Sequence, residues 1–318
     1  ASNNTAIGYA ALGANTTGTQ NVAVGTFTLT TSTTASLNNA FGYSALKLNT
    51  TGTQNNAFGN AAMDANTTGN FNVAIGYNAL HNSTGGANVA IGNQSAQSTT
   101  TATNNTSVGY SSLHLNTTGG TNNAFGHTAL YSNTTGAGNV AMGYQSMYFN
   151  TTGGSNVAMG ESSLQDNTTG SHNTALGHQA LENNTTGIFN VAVGREALGG
   201  AVAGGEFNVA VGNYTLDALT SADSCTAVGY QAGSAKTSGN HGTFIGYNAG
   251  LLVTTGTDVT FVGSEAGDGH DTESYNTGVG SGALGGPISG GEYNTAVGAY
   301  TLDALTSGNS NVAVGYAA

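Results

Sequence analysis

A glycine preceded by an apolar residue returns along the chain at an almost constant interval: Gly8, Gly25, Gly42, Gly59, Gly76, Gly92, Gly109, Gly126, Gly143, Gly160, Gly177, Gly194, Gly212, Gly229, Gly246, Gly263, Gly280, Gly298 and Gly315. Of the 18 spacings, 15 are 17 residues, one is 16 and two are 18. The surrounding word is close to N-[VTN]-A-[IVF]-G-Y-x-A-L-x-x-N-T-T-G-x-x. This period is too short for paired-helix repeats, which need about 33 residues or more, and it lacks the leucine-rich pattern. It suits one lap of a β-solenoid, with short β-forming words such as "NVAVG" and turn chemistry in "NTTG". The expected fold is all-β: a parallel β-solenoid (β-roll) of about 19 coils, one continuous array over residues 1–318 with variant coils near 225–290.

The slots of the repeat behave as columns. The residue before the anchor is apolar in all 19 coils, and the residue before that is Ala in 15. The slot four before the anchor is Asn in 16 of 19, and the slot four after it is Leu or Met in 14 of the 18 coils that reach it. Coils stacked at a strand spacing of about 4.8 Å would let the Asn amides bond along their column. In one stretch Leu gives way to Gly233, Gly250 and Gly267 while Ala gives way to Phe244 and Phe261. Exchange of volume between two columns implies that they face each other inside the coil. Adjacent strand residues point to opposite faces, so the column before the anchor points outward although it is never polar. A continuous apolar stripe of that kind needs a cover, and a second copy of the chain is the simplest one.

Composition narrows the function. Three basic residues (Lys47, Arg195, Lys236) stand against 15 acidic ones, a net charge of −12, which leaves almost nothing to neutralise phosphates. Nucleic acid is therefore not an expected partner, nor is an anionic membrane surface. No apolar run is long enough to span a bilayer as a helix. A single cysteine, Cys225, excludes an internal disulfide and sits in an Asn slot, where it reads as a buried substitute. The chain starts and stops in the same phase of the repeat with no polar capping unit, as expected of a segment of a longer rod or a subunit that stacks end to end.

No catalytic constellation emerges, so no catalytic, cofactor-binding or metal-binding residue is assigned and the chain is not read as an enzyme. The seven histidines (His81, His114, His127, His172, His178, His241, His270) fall in variable slots and read as solvent-facing. The densest set of potential ligands is "DGHDTE", Asp268–Glu273, which could hold a hard cation but lacks the repeat of calcium-binding rolls. Tyr9, Tyr43, Tyr77, Tyr110 and Tyr144 follow the anchor in every second coil. Such a row suits a subunit seam or, alternatively, stacking on sugar rings. "NTTG" at Asn15, Asn49, Asn66, Asn116, Asn133, Asn150, Asn167 and Asn184, with "NSTG" at Asn82, is formally an N-glycosylation acceptor as well as a turn. Paired threonines also raise ice binding, although the pair gives way to Val202-Ala203, Asp271-Thr272 and Ile288-Ser289.

The words "NVAIGYNAL", "NTALGHQAL" and "NTTG" resemble repeats of bacteriophage tail fibres and the heads of YadA-like trimeric autotransporter adhesins. That resemblance implies a β-roll, usually trimeric, acting as a stalk or adhesive head. The expected role is thus a structural or adhesive fibre segment, a homo-oligomer with the trimer first. Its expected place is extracellular, on a cell surface or on a virion, with cell-surface glycans as candidate partners. The alternatives are a self-stacking extracellular filament, glycosylated on its NTTG turns, and, less so, an ice-binding solenoid.

Overall fold

The computed structural model describes residues 1–200, 204–287 and 290–318. It is an all-β solenoid, with no helix among the described residues and nineteen strands of three residues each. The coils group into two compact units, Ala1–Asn156 and Val157–Ala318. The first holds β1 (Thr5–Ile7), β2 (Val22–Val24), β3 (Asn39–Phe41), β4 (Asn56–Phe58), β5 (Val73–Ile75), β6 (Val89–Ile91), β7 (Thr106–Val108), β8 (Asn123–Phe125) and β9 (Val140–Met142). The second holds ten equivalent strands, β10 (Val157–Met159) to β19 (Val312–Val314). Within each unit every strand pairs in parallel with the same word one coil on: Asn56, Ala57 and Phe58 lie against Val73, Ala74 and Ile75.

One coil shows how the backbone is satisfied. On the strand side the Asn56 N–H donates to the Asn72 carbonyl and the Gly59 N–H to the Phe41 carbonyl, both at 2.8 Å. Past Gly59 the chain runs through three overlapping turns, closed by Ala62 on Gly59, Asp64 on Ala61 and Asn66 on Met63. The intervening N–H groups leave the coil: Ala61 donates to Tyr43 of the coil below, Met63 and Ala65 to Ala79 and His81 of the coil above. Alternate N–H groups thus bond within and between coils, and this side of the solenoid leaves few orphan donors. The geometry requires left-handed backbone at non-glycine residues, as at Ala61 (φ 55°) and Met63 (φ 52°). Each costs about 1–2 kcal/mol in isolation and is held here by the bonds on either side.

The core lies between the strand and the turns. Ala40, Ala57 and Ala74 of the strands and Leu46, Met63 and Leu80 of the turns are fully buried in one cluster. The predicted exchange of volume is present: a Cβ on Gly233 would lie 2.8 Å from the Phe244 ring, and Gly250 and Gly267 are likewise filled by Phe244 and Phe261. Gly278 in the Ala column follows the same logic, because Phe261 reaches to 3.1 Å of where its Cβ would be.

Two Asn columns close the ends of this core. Asn55 accepts from the Asn72 N–H at 3.0 Å and Asn72 Nδ2 at 3.1 Å, which is the expected ladder. The second ladder is the Asn of NTTG: Asn66 Nδ2 donates to Asn49 Oδ1 at 3.0 Å, and Asn133 Nδ2 to Asn116 Oδ1 at 2.8 Å. Both ladders converge on the glycine of the same word, because Asn55 and Asn66 each donate to the Gly69 carbonyl.

This second ladder corrects the glycosylation reading. Asn49, Asn66, Asn116, Asn133, Asn150, Asn167 and Asn184 are fully buried. A glycan on Nδ2 would displace the ladder and enter the core. Asn15, in the first coil, is half-buried and donates to the Gly18 carbonyl. Asn82 escapes because its coil is one residue short: Ser83 takes the buried slot and Asn82 is exposed.

Candidate functional site

The outer face of the strands carries the feature that the repeat preserves most strictly. Alternation along each three-residue strand buries the central Ala and turns its neighbours outward. The column before the anchor is exposed by 41% at Ile75, 36% at Ile91, 37% at Phe125 and 38% at Met142. The same column in the second unit is exposed by 42% at Met159 and 39% at Ile245. Neighbouring side chains already cover each other along the column; Phe41 and Phe58 stack at 4.8 Å with planes 8° apart. Beside them Asn39 Nδ2 donates to Asn56 Oδ1 at 2.8 Å, so a short external amide ladder flanks the rings. The result is a ribbon of apolar side chains at strand spacing, exposed at these positions and half-buried at others such as Leu176, Val193 and Val211.

The tyrosine row lies next to this ribbon. Tyr43, Tyr77, Tyr110 and Tyr144 are about half exposed, with Asn60, Asn93 and His127 in the intervening coils. His127 fills its gap as a ring, 5.1 Å from Tyr110 and 5.4 Å from Tyr144.

The "DGHDTE" residues do not converge on a common point. Glu273 turns inward and accepts from the N–H groups of Asp271, Thr272 and Gly290 at 3.0, 3.1 and 2.9 Å, which makes it a turn cap. Asp268 lies in a different groove with Glu265 and Asp303, and burial raises its pKa. His270 corrects the reading of the histidines as solvent-facing: it is fully buried, packed against the Phe261 ring at 4.8 Å. It occupies the NTTG-Asn slot of its coil, and desolvation lowers its pKa to about 4. Among the described residues no three His, Cys, Asp or Glu side chains group as metal ligands.

Lys236, which sequence reasoning only counted among the three basic residues, is fully buried in the same slot two coils earlier. Its Nζ donates to the Gly256 carbonyl. Desolvation is the larger influence on it and lowers its pKa to about 8; the Cys225 thiol acts weakly the other way. Cys225 is buried as expected, its N–H donating to Asn208 Oδ1 at 2.9 Å, and burial raises its pKa. The slot itself was the available signal, since Lys236 and His270 each lie seven residues after an anchor, where NTTG places its Asn.

The lysine predicts a pH dependence. Its folded pKa lies below the unfolded value of 10.5, so the unfolded chain binds more protons between about pH 8 and 10.5 and stability rises with pH there. The buried charge costs up to about 3 kcal/mol at neutral pH. Cys225, shifted upward from 9.0, acts in the opposite sense above pH 9, so the window to read is pH 8–9. Denaturant titrations should show stability rising across that window in the native chain and flat in Lys236→Met.

The threonine pairs do not form a two-column array. The first Thr is tied back, Thr50 Oγ1 donating to the Thr67 carbonyl at 3.0 Å and Thr117 Oγ1 to Thr134 at 3.0 Å. The second is exposed, as at Thr51, Thr68 and Thr118, whereas the first is half-buried in those coils and exposed at Thr16 and Thr100. Of the pair positions that depart from Thr, Val202-Ala203 and Ile288-Ser289 lie outside the described residues. No helix among the described residues is long and apolar enough to cross a membrane. No protein-family model matches the chain, and no curated protein matches it by sequence. The fold and its uncovered apolar ribbon therefore stand as the evidence on function.

Proposed function

We propose that the chain is a structural fibre segment, a stack of β-coils that associates laterally with copies of itself, trimer first, to give reach and surface attachment outside the cell or on a virion. One observation carries the reading: the column before the anchor is apolar in every coil yet stays 36–42% exposed at residues such as Ile91 and Met159. Contiguous exposed apolar surface of this kind marks an interaction site, and a repeating ribbon is best matched by an identical repeating ribbon. The scarcity of Lys and Arg fits exposure to proteases, since Lys236, one of only three basic residues, is buried. The reading assigns no catalytic role.

Light scattering on the purified chain tests it. The expected mass is three times 31.3 kDa. Ile75→Lys combined with Ile91→Lys should return the monomer, because it places charges on the ribbon without touching the core. A wild-type chain that stays at 31.3 kDa at high concentration would overturn lateral association. A mass that grows without limit with concentration would identify an end-to-end filament instead.

A further inference from the structure

A second surface feature arises where the repeat is one residue short, in the coil from Gly76 to Gly92. The exposed second Thr of its turn word is missing, and the slots that follow carry Gly86 and Ala87. Their counterparts in the coil below are Asn70 and Phe71, and in the coil above Thr103 and Asn104. The outcome is a groove of about 360 Å³ with Phe71 as one wall, Asn104 and Thr103 as the other, and Gly86 and Ala87 as the floor. Its size falls in the range of small-ligand sites.

The dimensions follow from what this column does elsewhere. Five residues before the anchor, His172, Phe189 and Phe207 stack as parallel rings 4.9 and 5.3 Å apart, with planes 4° and 5° from each other. Tyr275 and Tyr293 do the same at 4.8 Å and 4°. Each planar side chain fills the layer of its own coil. At Ala87 no planar side chain fills that layer, and Phe71, 60% exposed, lines the groove beside it. Coils two apart in the stack are separated by about 9.6 Å, which leaves room for a layer about one ring thick between Phe71 and Asn104.

We propose that this groove binds a neutral pyranose unit of a glycan, stacked on Phe71 in the layer vacated at Ala87. The apolar C–H face of a pyranose suits the aromatic wall, and its hydroxyls suit the rim. That rim is polar and uncharged: Thr68, Asn70, Thr84, Thr103 and Asn104 line it. Asn70 Oδ1 is fixed by the Thr53 N–H and hydroxyl at 2.7 and 3.0 Å, which aims its amide donor. Asn104 Nδ2 is held by Thr103 Oγ1 at 3.2 Å, leaving its oxygen to accept. An aromatic side chain of a protein partner would fit the layer but would leave this rim unused. The site extends the attachment role proposed above and does not depend on lateral association, which the light-scattering experiment reads separately.

Saturation-transfer NMR on the full chain tests the site, with the methyl glycosides of glucose, galactose, mannose and N-acetylglucosamine as probes and p-cresol as the mimic of an aromatic side chain. Transfer to the ring protons of at least one glycoside is expected, falling at least tenfold in Phe71→Ala and in Ala87→Phe. The second variant fills the layer with a ring and should fold, because Ala87 has φ 57°, the conformation that Phe189 (57°) and Phe207 (59°) adopt in the same column. A wild-type circular dichroism spectrum and melting curve for Ala87→Phe confirm this. Absence of transfer to all four glycosides, transfer that survives Ala87→Phe, or transfer to p-cresol alone would each overturn the proposal.

Discussion

Gly42→Ala is expected to break the solenoid at its coil and to destabilise the chain by more than about 3 kcal/mol. Two independent causes act together. Gly42 has φ +132°, where L-residues rarely sit. A Cβ there would also lie 2.5 Å from the Gly59 carbonyl oxygen and 2.7 Å from its carbon, both rigid backbone of the next coil. Relief would require the two coils to part, which would break the bonds either side of the anchor, including that from the Gly59 N–H to the Phe41 carbonyl. In a solenoid each coil is stabilised mainly by its neighbours, so a break uncouples the stack on either side. Thermal melts followed by circular dichroism should show an earlier and less cooperative transition. Gly13→Ala is the control: a Cβ there meets nothing closer than 3.4 Å, and the change should stay within about 0.5 kcal/mol.

The second large effect is expected at Phe244, where truncation to Ala should cost about 3–5 kcal/mol. The same change should become tolerable when the lost volume is returned from the facing column. Gly233 and Gly250 both have φ 61°, close to the 50° of Leu46 and the 52° of Leu80 that hold the same slot elsewhere. Phe244→Ala combined with Gly233→Leu and Gly250→Leu restores the common pattern and should recover most of the loss. Gly250→Leu alone should be destabilising, because the Phe244 ring already occupies the space its Cβ would take. Chemical denaturation of the single and combined variants gives the coupling energy; additive effects would mean that the two columns do not touch.

The lap length, the parallel strands, the first Asn ladder and the facing Ala and Leu columns were legible because each is a periodic constraint, and a column of 19 similar residues reports its environment many times over. The path between anchors was not. Leu46 and Met63 sit at φ 50° and 52°, and nothing in a leucine or a methionine announces left-handed backbone; the bonds to adjacent coils impose it. The NTTG Asn was misjudged for a related reason. Its turn chemistry and its acceptor motif are both local, whereas its burial comes from Nδ2 reaching the Asn one coil away, as Asn150 does to Asn133 at 2.8 Å. His270 was read by residue type, as a surface group, and Lys236 only as a count toward net charge, when their slot was the better guide. The Phe71 groove has a sequence signal, the single 16-residue spacing, but its meaning depends on knowing that other coils stack planar side chains in that column.

The central claim is that residues one period apart lie one strand spacing apart. Spin labels at Thr51→Cys and Thr135→Cys test it directly, because both positions are exposed, both lie in the first unit, and they occupy equivalent slots five coils apart. Cys225 is buried and should not label. Pulsed electron–electron resonance on labelled chain diluted with unlabelled chain should give one narrow distance near 24 Å, about five strand spacings. A broad distribution, or a narrow one centred far from that distance, would contradict the stacked coil.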